Sequence, residues 1–158
     1  MKQVFVTTGT QLPFDRLLDM VDEWAGQNPQ VKVVAQSNDV VKYSNFTTKS
    51  LLPPNEYKSF VSSSDVIIGH AGIGTIITAH EYNLPLVIMP RKYELGEHRN
   101  DHQVATAEKF KDLEGIYVVT TKDELYAILG RSNLPPCKRK DLPNRERLVK
   151  NIKHLIHL

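Results

Sequence analysis

Cysteine is almost absent. Cys137 is the only one in 158 residues, so no disulfide can form within the chain, and a reducing cytoplasm fits. It sits in a Pro-rich turn without catalytic neighbours and is assigned no role. Long apolar runs are missing too. Nothing approaches the roughly 18 apolar residues of a membrane span, and the strand-like run at 4–6 passes straight into Thr7-Thr8-Gly9, unlike a leader peptide. Any membrane contact is therefore expected to be peripheral or made through a partner. There is no Cys/His cluster with zinc spacing, and neither G-x-G-x-x-G nor G-x-x-x-x-G-K-[ST] occurs, which argues against a dehydrogenase or a P-loop ATPase. No Ser/His/Asp set has a nucleophile context. No D-x-D pair is present to hold a metal-bound diphosphate. A net charge of +2 demands no nucleic acid, and no metal or cofactor is implied.

What is present is ordinary for a soluble domain: 41% hydrophobic and 24% charged residues, in a length that favours one domain with its own core. The charge is uneven. Residues 1–130 carry 12 Lys/Arg against 16 Asp/Glu, and residues 131–158 carry 8 against 2. This divides the chain into a main domain over 1–130, a basic, Pro-containing linker over 131–143, and a tail over 144–158. In the tail Leu148, Val149, Ile152, Leu155 and Ile156 form an amphipathic stripe among Arg145, Arg147, Lys150 and Lys153. Two readings stand for it: a helix packed on its own domain with a solvated basic face, or one docked on a partner or an anionic membrane surface.

Short apolar runs alternate with helical patterns, the signature of βαβ units and a parallel sheet with helices on both faces, a Rossmann-like α/β fold. Strands are expected at 3–6, 31–35, 66–68, 86–89 and 116–119, with a short strand or extended loop within 39–48. The first helix should carry Pro13 in its first turn, bury Phe14, Leu17, Leu18, Val21, Trp24 and Ala25, and end at Gly26. Further helices are expected over 55–63, 74–83, 101–111 and 122–129, the last opened by a Thr121/Glu124 capping box. Residues 91–100 read as a polar loop.

Ligands of open parallel sheets sit at the carboxyl ends of the strands. Three polar loops qualify: 7–11, 69–75 and 90–103. The middle one reads Gly69-His70-Ala71-Gly72-Ile73-Gly74-Thr75. Its glycines let the backbone approach an anion, the helix after them offers unpaired N–H groups and a positive dipole end, and Thr75 adds a hydroxyl. Gly9 and Thr10 stand on the neighbouring loop. His70 reads either as a satisfied strand-end residue or as a contact to phosphate or acceptor. His80 reads as structural, and Glu81 either reaches a ribose hydroxyl or is simply exposed. The third loop is rich in hydrogen-bonding side chains suited to a sugar, with His102 and Gln103 at the start of a helix on the ligand edge.

His70-Ala71-Gly72-Ile73-Gly74-Thr75, then Pro85-Leu86-Val87-Ile88-Met89-Pro90, then Asn100-Asp101-His102-Gln103 resembles the carboxyl-terminal domain of MurG-type glycosyltransferases. The small catalytic subunit of the dolichol-pathway GlcNAc transferase is similar. The run Glu97-His98-Arg99-Asn100-Asp101-His102-Gln103 after Met89-Pro90-Arg91 resembles the bacterial PssE-like subunits of capsule and exopolysaccharide synthesis in particular. The resemblance implies the donor-binding, C-terminal half of a GT-B glycosyltransferase. Its donor is a UDP-sugar, transferred as a hexose with inversion to a lipid-linked acceptor. The acceptor half is a separate membrane-associated subunit that recruits the chain to the inner face of the cell membrane. Gly9, Thr10, Gly72, Ile73, Gly74 and Thr75 would then hold the diphosphate. Thr78, Glu81, Arg91, Asn100, Asp101, His102 and Gln103 would hold the ribose and sugar, although Thr78 stands where such enzymes carry a ribose-binding glutamate. Glu97, His98 and His70 are the candidates for acid–base work. The alternative is a non-catalytic subunit that activates a partner transferase.

Overall fold

The structure, a computed structural model, describes residues 1–10, 12–38 and 43–138. The expected tail helix over 144–158, the end of the linker, and Val40 and Val41 lie outside the described residues.

Six parallel strands form one sheet in the order β3-β2-β1-β4-β5-β6. They are β1 (Gln3–Thr7), β2 (Lys32–Gln36), β3 (Thr47–Lys49), β4 (Val66–His70), β5 (Leu86–Met89) and β6 (Ile116–Val118). The helices are α1 (Asp15–Gln27), α2 (Pro54–Ser62), α3 (Ile73–Tyr82), α4 (His102–Phe110) and α5 (Lys122–Leu129), with a 3-10 turn at Tyr93–Leu95. Within the unsettled 39–48 stretch, 47–48 begin β3.

Side chains alternate across each strand, so the central strands β1, β4 and β5 feed two cores. Val4 and Val6 of β1, Val66 and Ile68 of β4, and Val87 and Met89 of β5 meet α1 and α5 on one face. Phe5, Ile67, Leu86 and Ile88 meet α2, α3 and α4 on the other. Both layers are closed to water, which is why these strands read as unbroken apolar runs. Complete burial of a side chain such as Ile67 or Ile68 contributes about 1.5–3 kcal/mol each.

Several boundaries differ from expectation. Gly26 lies inside α1 rather than ending it; the helix runs one residue further and is closed by Asn28, whose side chain donates to Trp24 O at 2.9 Å. Gly26 is small for a packing reason, since a Cβ there would stand 3.1 Å from the Asn45 amide nitrogen. Pro13 falls before α1, which begins at Asp15. Cys137, given no role above, is fully buried: its N–H donates to Leu84 O at 3.1 Å and its thiol to Gly115 O at 3.3 Å. Gly115 has a φ of +86°, and a Cβ on it would collide with the Cys137 backbone nitrogen at 2.1 Å. With Tyr117 donating to Pro135 O and Lys138 paired with Glu114, the first part of the basic stretch is strapped under the amino ends of β5 and β6. The capping box of α5 is present, Glu124 N–H donating to Thr121 Oγ1.

Candidate functional site

The strand order reverses between β1 and β4, so the loops leaving these two strands diverge and open a crevice beyond their carboxyl ends. A cleft of about 490 Å³ lies there. The end of β1 and the loop after it supply Thr7, Thr8, Gly9, Thr10 and Leu12 to its wall; β4, α3 and the turn between them supply His70, Gly72, Gly74, Thr75 and Thr78; the β5 side supplies Arg91, His98, His102 and Gln103.

α3 starts at Ile73 with Gly72 as its N-cap, and no side chain caps it. The first-turn amides therefore lack side-chain partners, and the positive end of the dipole points out of the helix beside the cleft. The glycines of this loop do different things. A Cβ on Gly72 would stand 2.3 Å from His70 Nε2, and one on Gly9 would stand 3.0 Å from His70 Cε1. These two glycines make room for the imidazole, which is sandwiched between them. A Cβ on Gly74 would meet nothing within 4 Å. Gly74 is the position that leaves open space against the uncapped amides.

His70 is pushed down to about 4 by its burial first, then by the Arg91 charge and the nearby histidines, with a Thr7 backbone hydrogen bond pulling the other way. Near neutral pH it is an uncharged ring. His98 lies edge-on to His102 with 4.4 Å between centroids. Its titration is lowered by desolvation and then by the charges of His102, Arg91 and Arg99. Its Nδ1 accepts the Arg99 N–H at 2.9 Å, so the neutral tautomer carries its proton on Nε2. His102 is the reverse: Nδ1 meets Asn100 Oδ1, which leaves the Nε2 lone pair of the neutral ring open to accept a hydroxyl.

Several sequence candidates are occupied elsewhere. Glu97 does not line the cleft; its carboxylate accepts Arg16 Nε at 2.6 Å, Arg16 Nη2 at 2.8 Å and the Lys92 N–H at 2.9 Å. Burial would raise its titration, but the Arg16 and Lys92 hydrogen bonds and the two arginine charges outweigh this and hold it below the usual carboxylate range. A carboxylate so paired is a poor base. Arg91 lines the cleft, but its terminal nitrogens donate to the carbonyls of Thr8, Leu12, Pro13 and Glu97, which uses four of a guanidinium's five N–H donors. It has little left to offer a sugar. Asp101 accepts the Tyr93 N–H at 2.9 Å and Asn100 the His102 N–H at 3.2 Å; both shape the loop rather than line the cleft. Glu81 is exposed on α3, and Ile73, like Glu81, is not part of the lining. His80 is fully buried with Nδ1 donating to Ile76 O.

Five lining residues are absent from the candidate site residues: Thr7 and Thr8, which fall within the 7–11 loop already singled out, and Leu12, Gln36 and Tyr57. Gln36 ends β2, and its position as the polar last residue of an apolar strand was a usable signal. Tyr57 of α2 stands edge-on to Phe5 at 5.3 Å; burial raises its titration while a Thr78 hydrogen bond lowers it. No periodicity marked it out. Among the described residues, no group of three or more His, Cys, Asp or Glu side chains is placed to hold a metal ion, and no helix is long and apolar enough to cross a membrane.

Comparison with known proteins agrees with this architecture. The chain is 33% identical over 75 residues to the UDP-N-acetylglucosamine transferase subunit ALG13 of Debaryomyces hansenii, covering 48% of this chain and 34% of that protein. It is 28% identical over 149 residues to the uncharacterized UDP-glucosyltransferase YdhE of Bacillus subtilis, covering 89% of this chain and 34% of that one. The chain thus spans about a third of the length of these relatives. The solution structure of ALG13 superposes with a TM-score of 0.63 at 19% identity, covering 96% of this chain and 94% of that one. Glycosyltransferases of GT-B architecture share the fold. With the sequence model of the glycosyltransferase family 28 C-terminal domain matching residues 3–156, the chain belongs to that glycosyltransferase family.

Proposed function

We propose that the chain is the donor-binding, catalytic half of an inverting glycosyltransferase that transfers a hexose from a UDP-sugar to a lipid-linked acceptor. A second, membrane-associated subunit completes the site, as in capsule or exopolysaccharide synthesis. The observation that carries this reading is the uncapped start of α3 beside the open space at Gly74, at the point where the strand order reverses. The kinship with a named UDP-glucosyltransferase and a named UDP-GlcNAc transferase subunit supports the nucleotide sugar.

In the proposed reaction an acceptor hydroxyl attacks the anomeric carbon from the face opposite the diphosphate. The carbon–phosphate-oxygen bond breaks, UDP leaves with the electron pair, and the hydroxyl proton passes to a base. Charge grows on the leaving diphosphate, where the amides of 73–75 and the helix dipole stabilise it; one such donor is worth about 2.7–4 kcal/mol of barrier. The His102 Nε2 lone pair accepts from a sugar hydroxyl. Thr78 and Tyr57, which line the same cleft, are assigned to the nucleoside.

The base is the part this half supplies least well. Glu97 is paired with Arg16, His98 presents a proton rather than a lone pair, His70 is too weakly basic near neutral pH, and the His102 lone pair is assigned to the donor sugar. We therefore place the base on the partner subunit. The test is transfer from radiolabelled UDP-glucose, UDP-galactose and UDP-N-acetylglucosamine to lipid-linked acceptor with the partner supplied. Label should enter the lipid fraction with the parent chain and not with Gly74→Asp. A non-catalytic activator would support equal transfer with both.

A further inference from the structure

Residues 91–100 were expected to be a polar loop, and two arginines stitch the first part of it, 91–97, to the neighbouring loops. Arg91 follows Pro90 at the end of β5 and is only 2% exposed. Nη2 donates to Thr8 O at 2.7 Å and Leu12 O at 2.6 Å. Nη1 donates to Pro13 O and to Glu97 O at 3.3 Å. The guanidinium carbon stands 4.5 Å from the centre of the Phe14 ring, and the Arg91 N–H donates to Gln103 Oε1 at 3.2 Å. Arg16 reaches back in the opposite direction. It forks onto the Glu97 carboxylate and also donates to Pro90 O at 3.0 Å and Thr120 O at 3.2 Å. The loops leaving β1, β5 and β6 are thereby tied to one another and to the start of α4.

Burying a guanidinium is costly unless its donors are satisfied. Here the carbonyls it satisfies belong to two different loops: Thr8, Leu12 and Pro13 after β1, and Glu97 after β5. We propose that Arg91 is the positioning residue of the cleft, fixing the β1 loop against the β5–α4 loop. It thereby sets the gap between the diphosphate cradle and the sugar side. The proposal deepens the donor-site reading and rests on it. Lysine cannot substitute, because a single ammonium has no planar fork to span four separated carbonyls. The geometry separates position from charge, since Arg91→Lys keeps the positive charge beside His70 but loses the fork.

The experiment measures two things on the parent, Arg91→Lys and Arg91→Ala: UDP affinity by calorimetry, and amide hydrogen exchange in the β1 loop and at the start of α4. Both variants should weaken UDP binding by about tenfold or more, because binding must then order the loops itself. Exchange at Thr8, Gly9 and Gln103 should quicken while the β4 and β5 amides stay protected. Methylguanidinium should restore affinity to Arg91→Ala, and methylammonium should not. Unchanged UDP affinity in folded Arg91→Lys overturns the proposal, as does unchanged exchange in the two loops. Where Arg91→Lys does not fold, Arg91→Gln takes its place with the same expected and overturning results. If the parent itself binds no UDP, the donor reading fails, and the exchange result alone decides whether Arg91 positions the loops.

Discussion

Acidification should destabilise this protein through His70, by an amount the structure bounds. The folded chain holds His70 at about 4, while its ordinary value is 6.5. Between these two the unfolded chain binds a proton that the folded chain refuses, so stability rises with pH in that window. The contribution is fully present above about pH 6.5, is lost as pH falls toward 4, and levels off below. At about 1.4 kcal/mol per pH unit the whole loss comes to about 3 kcal/mol. Urea denaturation at pH 7.5, 6.5, 5.5 and 4.5 on the parent and on His70→Gln measures it. Other carboxylates titrate in the same range, and Asp65 and Glu124 are both held low by backbone amides; they act equally in both proteins and cancel in the difference. The two stability curves should run parallel above pH 6.5 and converge or cross below it. Curves that stay parallel down to pH 4.5 would refute the reasoning, because His70 would then titrate alike folded and unfolded.

The two glycines flanking Ile73 should separate cleanly. Gly72→Ala drives its Cβ into the His70 ring and should cost about 1–3 kcal/mol in urea denaturation, as overpacking does. Gly74→Ala has open space and should hold or raise stability by up to about 1 kcal/mol, alanine being the better helix former. Thr121→Ala removes the capping box of α5 and should cost about 1 kcal/mol. It should leave UDP affinity unchanged, since no residue of that helix lines the cleft.

The strands and helices were legible because each is buried on a periodic face: Val66-Ile67-Ile68 feeds both cores and admits no polar residue, and Leu17, Leu18 and Val21 repeat at helical spacing. The site was legible in outline, since Gly74, Thr75, His102 and Gln103 follow from the carboxyl-end rule for parallel sheets. What was hidden is partnership. In sequence, Glu97 and Arg91 look like exposed polar groups awaiting a substrate. Only the fold brings Arg16, 81 positions away from Glu97, onto its carboxylate, and the Thr8 carbonyl onto Arg91. Gly9 and Gly72 line the cleft as expected, but the sequence did not show that they also clear room for the His70 ring. Gly26 suggested a helix end because its neighbour Asn45 is 19 residues downstream, in a segment without periodicity.

The central claim is that the open start of α3 holds the donor's diphosphate, and Gly74→Asp tests it most directly. A carboxylate in the first turn favours the helix dipole, so the variant should fold as stably as the parent by thermal melting. It places a negative charge where the diphosphate must sit. In calorimetric titration the parent should bind UDP, and Gly74→Asp should bind it at least about tenfold more weakly, a difference of about 1.4 kcal/mol. Equal affinity in the two folded proteins, or no binding by the parent, would contradict the account.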